Sequence, residues 1–235
     1  MTKKHFKKTA LAHTRYYNKA GKQVKGVTTI LNELSKPALY SWHNRMGLKG
    51  IDTSKYMNES AAIGTLAHEM IQEYLSCNAK YHYKGAIIEK HETDYTLYTP
   101  AQIQLAENCL LSFYGWLDNH PLQVIALEKP MVSEIFQYGG TIDCYCKIDN
   151  KYVLLDFKTG SGIYEDMAYQ LAAYAQLLLE DGNPVDWSMV LNIPRTKTDS
   201  FKTEKYNKLE YEFVIFKNAL EISRIKELKK RDYNG

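Results

Sequence analysis

The stretch Gly140-Thr141-Ile142-Asp143-Cys144-Tyr145-Cys146-Lys147-Ile148-Asp149-Asn150-Lys151-Tyr152-Val153-Leu154-Leu155-Asp156-Phe157-Lys158 decides how this chain is read. Two segments of period-two alternation flank Asp149-Asn150, a dipeptide suited to a two-residue hairpin turn. With that turn Cys144 lies opposite Leu155 and Cys146 opposite Val153. Ile142, Cys144, Cys146 and Ile148 then share a face with Val153, Leu155 and Phe157, all apolar, as a core-packed sheet requires. Thr141, Asp143, Tyr145, Lys147, Tyr152, Leu154, Asp156 and Lys158 fall on the other face, with Asp143 directly opposite Asp156.

Opposed residues of an antiparallel pair have Cβ atoms about 5 Å apart, and like charges there repel, so two facing carboxylates call for a cation. Lys158 is one candidate and a divalent metal is the other; oxygen ligands suit Mg²⁺ or Mn²⁺. Two residues beyond Asp156, Lys158 projects from the same face and can approach whatever the metal holds, where it could orient or deprotonate a water. Metal-assisted phosphodiester hydrolysis uses that set of groups. Acid-x-Lys triplets also occur at Asp149-Asn150-Lys151 and Glu227-Leu228-Lys229. Only Asp156-Phe157-Lys158 ends an apolar strand, faces another acid and leads into a Gly160-Ser161-Gly162 loop.

Working outward, the helix after that loop spans Glu165 to Glu180 and is stopped by Asp181-Gly182-Asn183-Pro184. Val185 to Ile193 reads as a further strand, Leu209 to Phe216 as another, and a basic amphipathic helix with Ile222, Ile225 and Leu228 closes the chain. Upstream, Leu122 to Leu127 reads as a strand closed by Glu128 and Pro130, followed by a second run from Met131 to Phe136. Thr99-Pro100 starts a helix with Ile103, Ala106, Leu110, Phe113 and Leu117 on its apolar stripe. Tyr81 to Tyr98 reads as a loop or irregular strands. Ser60 is placed as the cap of a helix carrying Ile63, Leu66, Ala67, Met70 and Tyr74, with Gly64 and His68 one turn apart beside that stripe. Small helices are expected between residues 26 and 46. The order predicts an α/β fold, a mixed central sheet flanked by helices with a helical N-terminal part, and a single domain over 1–235: a basic leading segment to residue 60, then the core.

Gly140-Thr141-Ile142-Asp143, Asp156-Phe157-Lys158 and Gln170-Leu171-Ala172-Ala173-Tyr174 resemble the G-x-x-D, D-x-K and Q-x-x-x-Y motifs of RecB-like nucleases in the PD-(D/E)XK superfamily. Gly64-Thr65-Leu66-Ala67-His68 is similar to that group's G-T-x-x-H helix. Gly26-Val27-Thr28-Thr29-Ile30-Leu31, with Pro37-Ala38-Leu39 and Trp42, resembles the N-terminal part of phage exonucleases and of the mitochondrial genome maintenance exonuclease family. The resemblance implies a restriction-endonuclease-like core, with His68, Asp143, Asp156 and the carbonyl of Phe157 as ligands of Mg²⁺ or Mn²⁺ and Lys158 as catalytic lysine. It also implies Gln170 and Tyr174 as supports of the site or the DNA, and Glu128 as a secondary acid. The i, i+4 spacing of Gln170 and Tyr174 independently sets both on one helix face.

With 45% hydrophobic and 24% charged residues over 235 positions, the composition is that of a globular protein. No run of 18 apolar residues spans a membrane, and MTKKHFKKTA lacks the apolar stretch of a signal peptide, so a cytoplasmic location is expected, that of the host if the source is a phage. The four cysteines, Cys77, Cys109, Cys144 and Cys146, form no zinc module or disulfide framework, and no cysteine follows Cys146, so neither zinc nor an iron–sulfur cluster is expected; all four are read as apolar-face residues. His68-Glu69 is not a zinc-protease helix, because Gln72 stands where the second His belongs. P-loop, nucleophile-elbow and dinucleotide motifs are missing as well.

Residues 1 to 32 carry eight Lys and Arg and no acid, leaving 22 Lys and Arg against 27 Asp and Glu in the remainder. A basic start interleaved with Phe6, Tyr16 and Tyr17 suits phosphates, and the Tyr-rich stretch from Tyr74 to Tyr98 suits unpaired bases. The expectation is therefore a DNA exonuclease working from single-stranded ends in recombination, repair or replication, without a motor of its own, any helicase activity being supplied by a partner protein. Its rivals are a duplex-end recombination exonuclease that forms a ring oligomer and a non-catalytic DNA-binding scaffold that kept the fold.

Overall fold

The computed structural model describes residues 14–234. The basic residues up to 13, including Phe6, lie outside the described part. A hairpin of β1 (Tyr16–Tyr17) and β2 (Gln23–Gly26) is followed by α1 (Val27–Leu31) and α2 (Pro37–Leu48). The long helix α3 (Thr53–Cys77) begins seven residues before Ser60. Asp52 is its cap and accepts from the backbone N–H groups of Ser54 and Lys55, which leaves the Ser60 hydroxyl to another task. Residues 78 to 99 are irregular with two 3-10 turns, as expected. Helix α4 (Pro100–Asn119) opens with the Thr99–Gln102 capping box.

Strands β3 (Leu122–Ser133), β4 (Tyr138–Ile148) and β5 (Lys151–Lys158) form an antiparallel meander; α5 (Glu165–Glu180) then crosses over to β6 (Trp187–Asn192), which is parallel to β5. β7 (Lys202–Tyr206) pairs with β6, and α6 (Glu210–Asn234) closes the chain. The two upstream runs therefore merge into the single strand β3, whose register slips between Val124 and Ala126. Leu209 to Phe216, read as a strand, opens α6: Phe213, Phe216 and Leu220 follow the helical period, and their packing on the sheet outweighs the short alternation before them. β7, mostly exposed polar residues, gave no apolar signal.

The seven strands form one mixed sheet in the order β1-β2-β4-β5-β6-β7, with β3 on the remaining edge of β4. α3 and α4 cover one face around Leu66, Ile71, Phe113, Cys144, Val153 and Leu155. α1, α5 and α6 cover the other around Ile30, Tyr138, Leu154, Leu177 and Phe216. Among the described residues no helix is long and apolar enough to cross a membrane. Asp149 and Asn150 both have positive φ, the geometry of a two-residue turn matched to strand twist, and the expected register holds from Ile148↔Lys151 to Cys144↔Leu155.

Beyond Cys144 the expectation changes. The β4–β5 ladder ends there, and Ile142 packs with Tyr138, Tyr145 and Leu154 on the α5 side, whereas Cys144 packs toward α3 and α4. Facing therefore resets at Asp143, across from the left-handed Glu128 of β3. β3 fills one edge of β4 throughout; on the other, β2 pairs only with Tyr138 and Gly139 and β5 only from Cys144 on. Asp143 lies in the opening between them. Cys109, Cys144 and Cys146 are buried free thiols, but Cys77 is exposed, a correction to its placement on an apolar face.

Candidate active site

His68 reaches the opening from α3, its imidazole Nδ1 3.8 Å from Glu128 Oε1 and 3.8 Å from Asp143 Oδ2. Glu128 arrives from the kinked point of β3, where its φ of 42° departs from strand geometry. Ligand atoms of the three residues all lie within 4.8 Å of one another. Ligands placed about 2.0–2.4 Å from an ion sit about 4–5 Å apart across it, so the group has the span of a cation site.

Asp143 is held by more than charge. Its Oδ2 accepts from the backbone N–H of Phe157 at 2.6 Å, which ties β4 to β5 past the end of their ladder and replaces the direct opposition to Asp156 expected of it. The Phe157 ring meets the His68 ring edge-on, with centroids 5.9 Å apart. Lys158 Nζ lies 2.5 Å from Asp156 Oδ2. Asp156, a residue 1% exposed, is therefore an ion-paired carboxylate at Oδ2, whereas its Oδ1 is buried with no donor among the described residues. A buried carboxylate oxygen without a donor is costly, and a cation bound there would satisfy it.

The charges act on one another. Burial works against the charged form of His68, but the Asp143 charge and the hydrogen bond and charge of Glu128 prevail and raise it to about 9. Burial likewise pushes the Asp143 carboxyl up, opposed by His68. Asp156 is raised to about 6, by burial first and against the pull of Lys158. Burial disfavours the Lys158 ammonium, yet Asp156 and Asp143 outweigh it and raise its basicity. Lys158 is thus a charged donor at neutral pH, with no lone pair to accept a proton.

Gln170 Nε2 donates to Tyr174 Oη at 2.8 Å along one face of α5. The Tyr174 ring lies on Gly140, where an added Cβ would stand 2.5 Å from Tyr174 Cε1, so the glycine of the motif is required by close approach. On the neighbouring Gly139 the ring of Tyr16 packs, a Cβ there falling 2.3 Å from Tyr16 Cγ, and the Tyr16 hydroxyl meets Thr141 Oγ1 at 3.0 Å. Gln170 and Tyr174 therefore buttress β4 from the α5 side, while His68, Glu128 and Asp143 gather in one group with the Asp156–Lys158 pair adjoining through Phe157. Much of the aromatic surface expected to line a channel is engaged internally: Tyr74 shares a hydroxyl contact with Tyr81 at 2.9 Å and stacks near Tyr114.

The sequence reading passed over Arg195, which follows β6. Its Nη2 donates to Thr159 Oγ1 at 2.9 Å and to the carbonyl of Ser60 at 2.9 Å, and its Nη1 donates to Ser60 Oγ at 2.8 Å. Ile193-Pro194-Arg195 carries no pattern that would have marked it.

A family-wide profile of the PD-(D/E)XK nuclease superfamily matches residues 35–231. The chain belongs to this superfamily. Its members are divalent-metal nucleases, and a mixed seven-stranded sheet flanked by helices agrees with their restriction-endonuclease-like fold. No curated protein matches the chain. Among solved structures, the chain is similar to SSO0001 at 16% identity over 55% of this chain, TM-score 0.39, spanning 63% and so less than two thirds of that protein. It is similar to a candidate exonuclease from Eubacterium rectale at 11% identity over 74% of this chain and 69% of that one, TM-score 0.45. LHK-Exo in complex with dAMP is similar at 12% identity over 62% of this chain and 78% of that one, TM-score 0.35. The assignment of this nuclease rests on the family match.

Proposed function

We propose that this nuclease is a metal-dependent DNA exonuclease acting from single-stranded ends. The observation that carries the reading is the convergence of His68, Glu128 and Asp143 beside the buried Asp156, paired with the ammonium of Lys158 through one oxygen and without a donor on the other. His68, Glu128, Asp143 and Asp156 would hold the cation, with the carbonyl of Phe157 as a further ligand. Three carboxylates and one imidazole suit Mn²⁺ or Mg²⁺, and the imidazole favours Mn²⁺. When bound, the ion supplies a Lewis acid for the phosphodiester and an activated water.

The chain's own residues do the rest. Asp143 is fixed by the Phe157 N–H, which bonds the same Oδ2 that stands 3.8 Å from His68. Lys158, charged at neutral pH, donates hydrogen bonds to the oxygen on which charge develops. Gln170 and Tyr174 hold β4 at the spacing that Gly140 permits. A single-stranded end is favoured because it brings unpaired bases to exposed aromatics such as Tyr40 and Tyr56 near the entrance of α3.

The test is incubation with end-labelled single-stranded, duplex and circular DNA, with and without Mn²⁺, beside Lys158→Ala. Loss of linear single strands only, in Mn²⁺ only, with the variant slower by at least 10²-fold but still binding, is the expected result. Cutting by the variant at the wild-type rate would overturn the role of Lys158, and cleavage of circles would overturn the exonuclease.

A further inference from the structure

Arg195 is an ionic group in a place built from neutral partners. Its guanidinium is held by Ser60 Oγ, the Ser60 carbonyl and Thr159 Oγ1, and its own carbonyl accepts from Asn108 Nδ2 at 2.9 Å, so α3, α4 and the residue after Lys158 all converge on it. It forms no ion pair among the described residues, and no carboxylate is among the groups that act on its charge. Its Nε is buried without a partner. A partly buried cation with no counter-charge is unfavourable in a resting protein.

Position gives the charge a use. Thr159 is the next residue after Lys158, and Gly64, whose missing Cβ would lie 3.3 Å from Thr159 Oγ1 and 3.7 Å from Arg195 Nη2, stands one turn before His68 on α3. Four helical residues rise about 6 Å, so the guanidinium lies beside the metal group at the distance of an adjoining nucleotide rather than at the reacting one. The frame takes both N–H groups of Nη2 and one of Nη1, so the positive charge and the second Nη1 N–H are what Arg195 can offer a phosphate oxygen. Resting on the nuclease reading above, we infer that Arg195, framed by Ser60, Thr159 and the bare backbone of Gly64, is a subsite for the DNA phosphate adjoining the one that is cut. The motif glycine at 64 then has a physical reason: it leaves room for Thr159 and Arg195 to close on α3 beside the path of the strand.

Binding of a labelled single-stranded oligonucleotide in EDTA, where nothing is cut, across a series of salt concentrations tests this directly. Each phosphate contact contributes about 0.7 to the slope of log K against log salt for a single strand. Arg195→Gln is expected to bind more weakly and to lower the slope by about that amount. Arg195→Lys, which keeps the charge but loses the frame contacts, is expected to keep the slope. A wild-type slope in Arg195→Gln, or a slope lowered as far in Arg195→Lys as in Arg195→Gln, would overturn the subsite and leave Arg195 a structural tie. If the wild-type protein binds no oligonucleotide at all, the DNA reading itself falls, a distinct result from an unchanged slope.

Discussion

His68 sits between two acids, and its basicity follows from them rather than from its burial, which acts the other way. In metal-free protein its raised value, about 9 against 6.5, means that the folded state holds the proton more tightly than the unfolded one. The stability this confers is fully present below pH 6.5 and lost as pH rises through about 9. Thermal unfolding in EDTA should therefore show the melting temperature falling on the order of 5 °C across that window, a decline that His68→Asn removes. Of the candidate site, the hairpin alternation in the sequence pointed to Asp143, Asp156 and Lys158, and the resemblance to a G-T-x-x-H helix pointed to His68. The sequence could not show that Glu128 joins His68 and Asp143 more closely than Asp156 does, since that depends on a left-handed residue inside β3. Nor could it reveal Arg195, whose partners are 36 and 135 residues away in the chain.

At the level of elements, β4 and α5 meet through the Tyr174 ring on Gly140, and no slack exists there. Gly140→Ala places a methyl 2.5 Å from Tyr174 Cε1 and 3.2 Å from Val27 Cγ2, so either the helix or the strand must yield. A loss of about 1–3 kcal/mol in a denaturant titration is expected, with activity lost at the same time because Asp143 rides on the same strand. Helix α4 was readable because its Thr99 cap, apolar stripe and stop agree, and α5 because its apolar stripe ends at the Asp181-Gly182-Asn183-Pro184 stop. Helix α3 was misjudged at its start, as the true cap Asp52 precedes an exposed first turn with no apolar period to announce it. The hairpin register was readable as far as Cys144, where two-sided burial enforces it, and failed beyond, where charges replace apolar partners.

Across the whole molecule, three acids converge on two cations at the open edge of β4, so folding assembles a repulsion that a divalent ion would relieve. Binding to the folded state alone raises stability by mass action, about 2.7 kcal/mol at a hundred times Kd. Saturating Mn²⁺ should raise the melting temperature by about 5–10 °C, and Asp143→Asn should abolish the rise. The reset of facing at Asp143 matters in a different way. β4 stays paired with β3 on both sides of Asp143 while its packing changes sides, so it is one strand in hydrogen bonding and two in side-chain contacts. The hairpin runs away from Asp143 through Cys144 to an exposed tip at Asp149-Asn150. That tip is the natural place to graft a fluorophore or an affinity handle, since a probe there would report on the protein without disturbing the spacing on which hydrolysis depends.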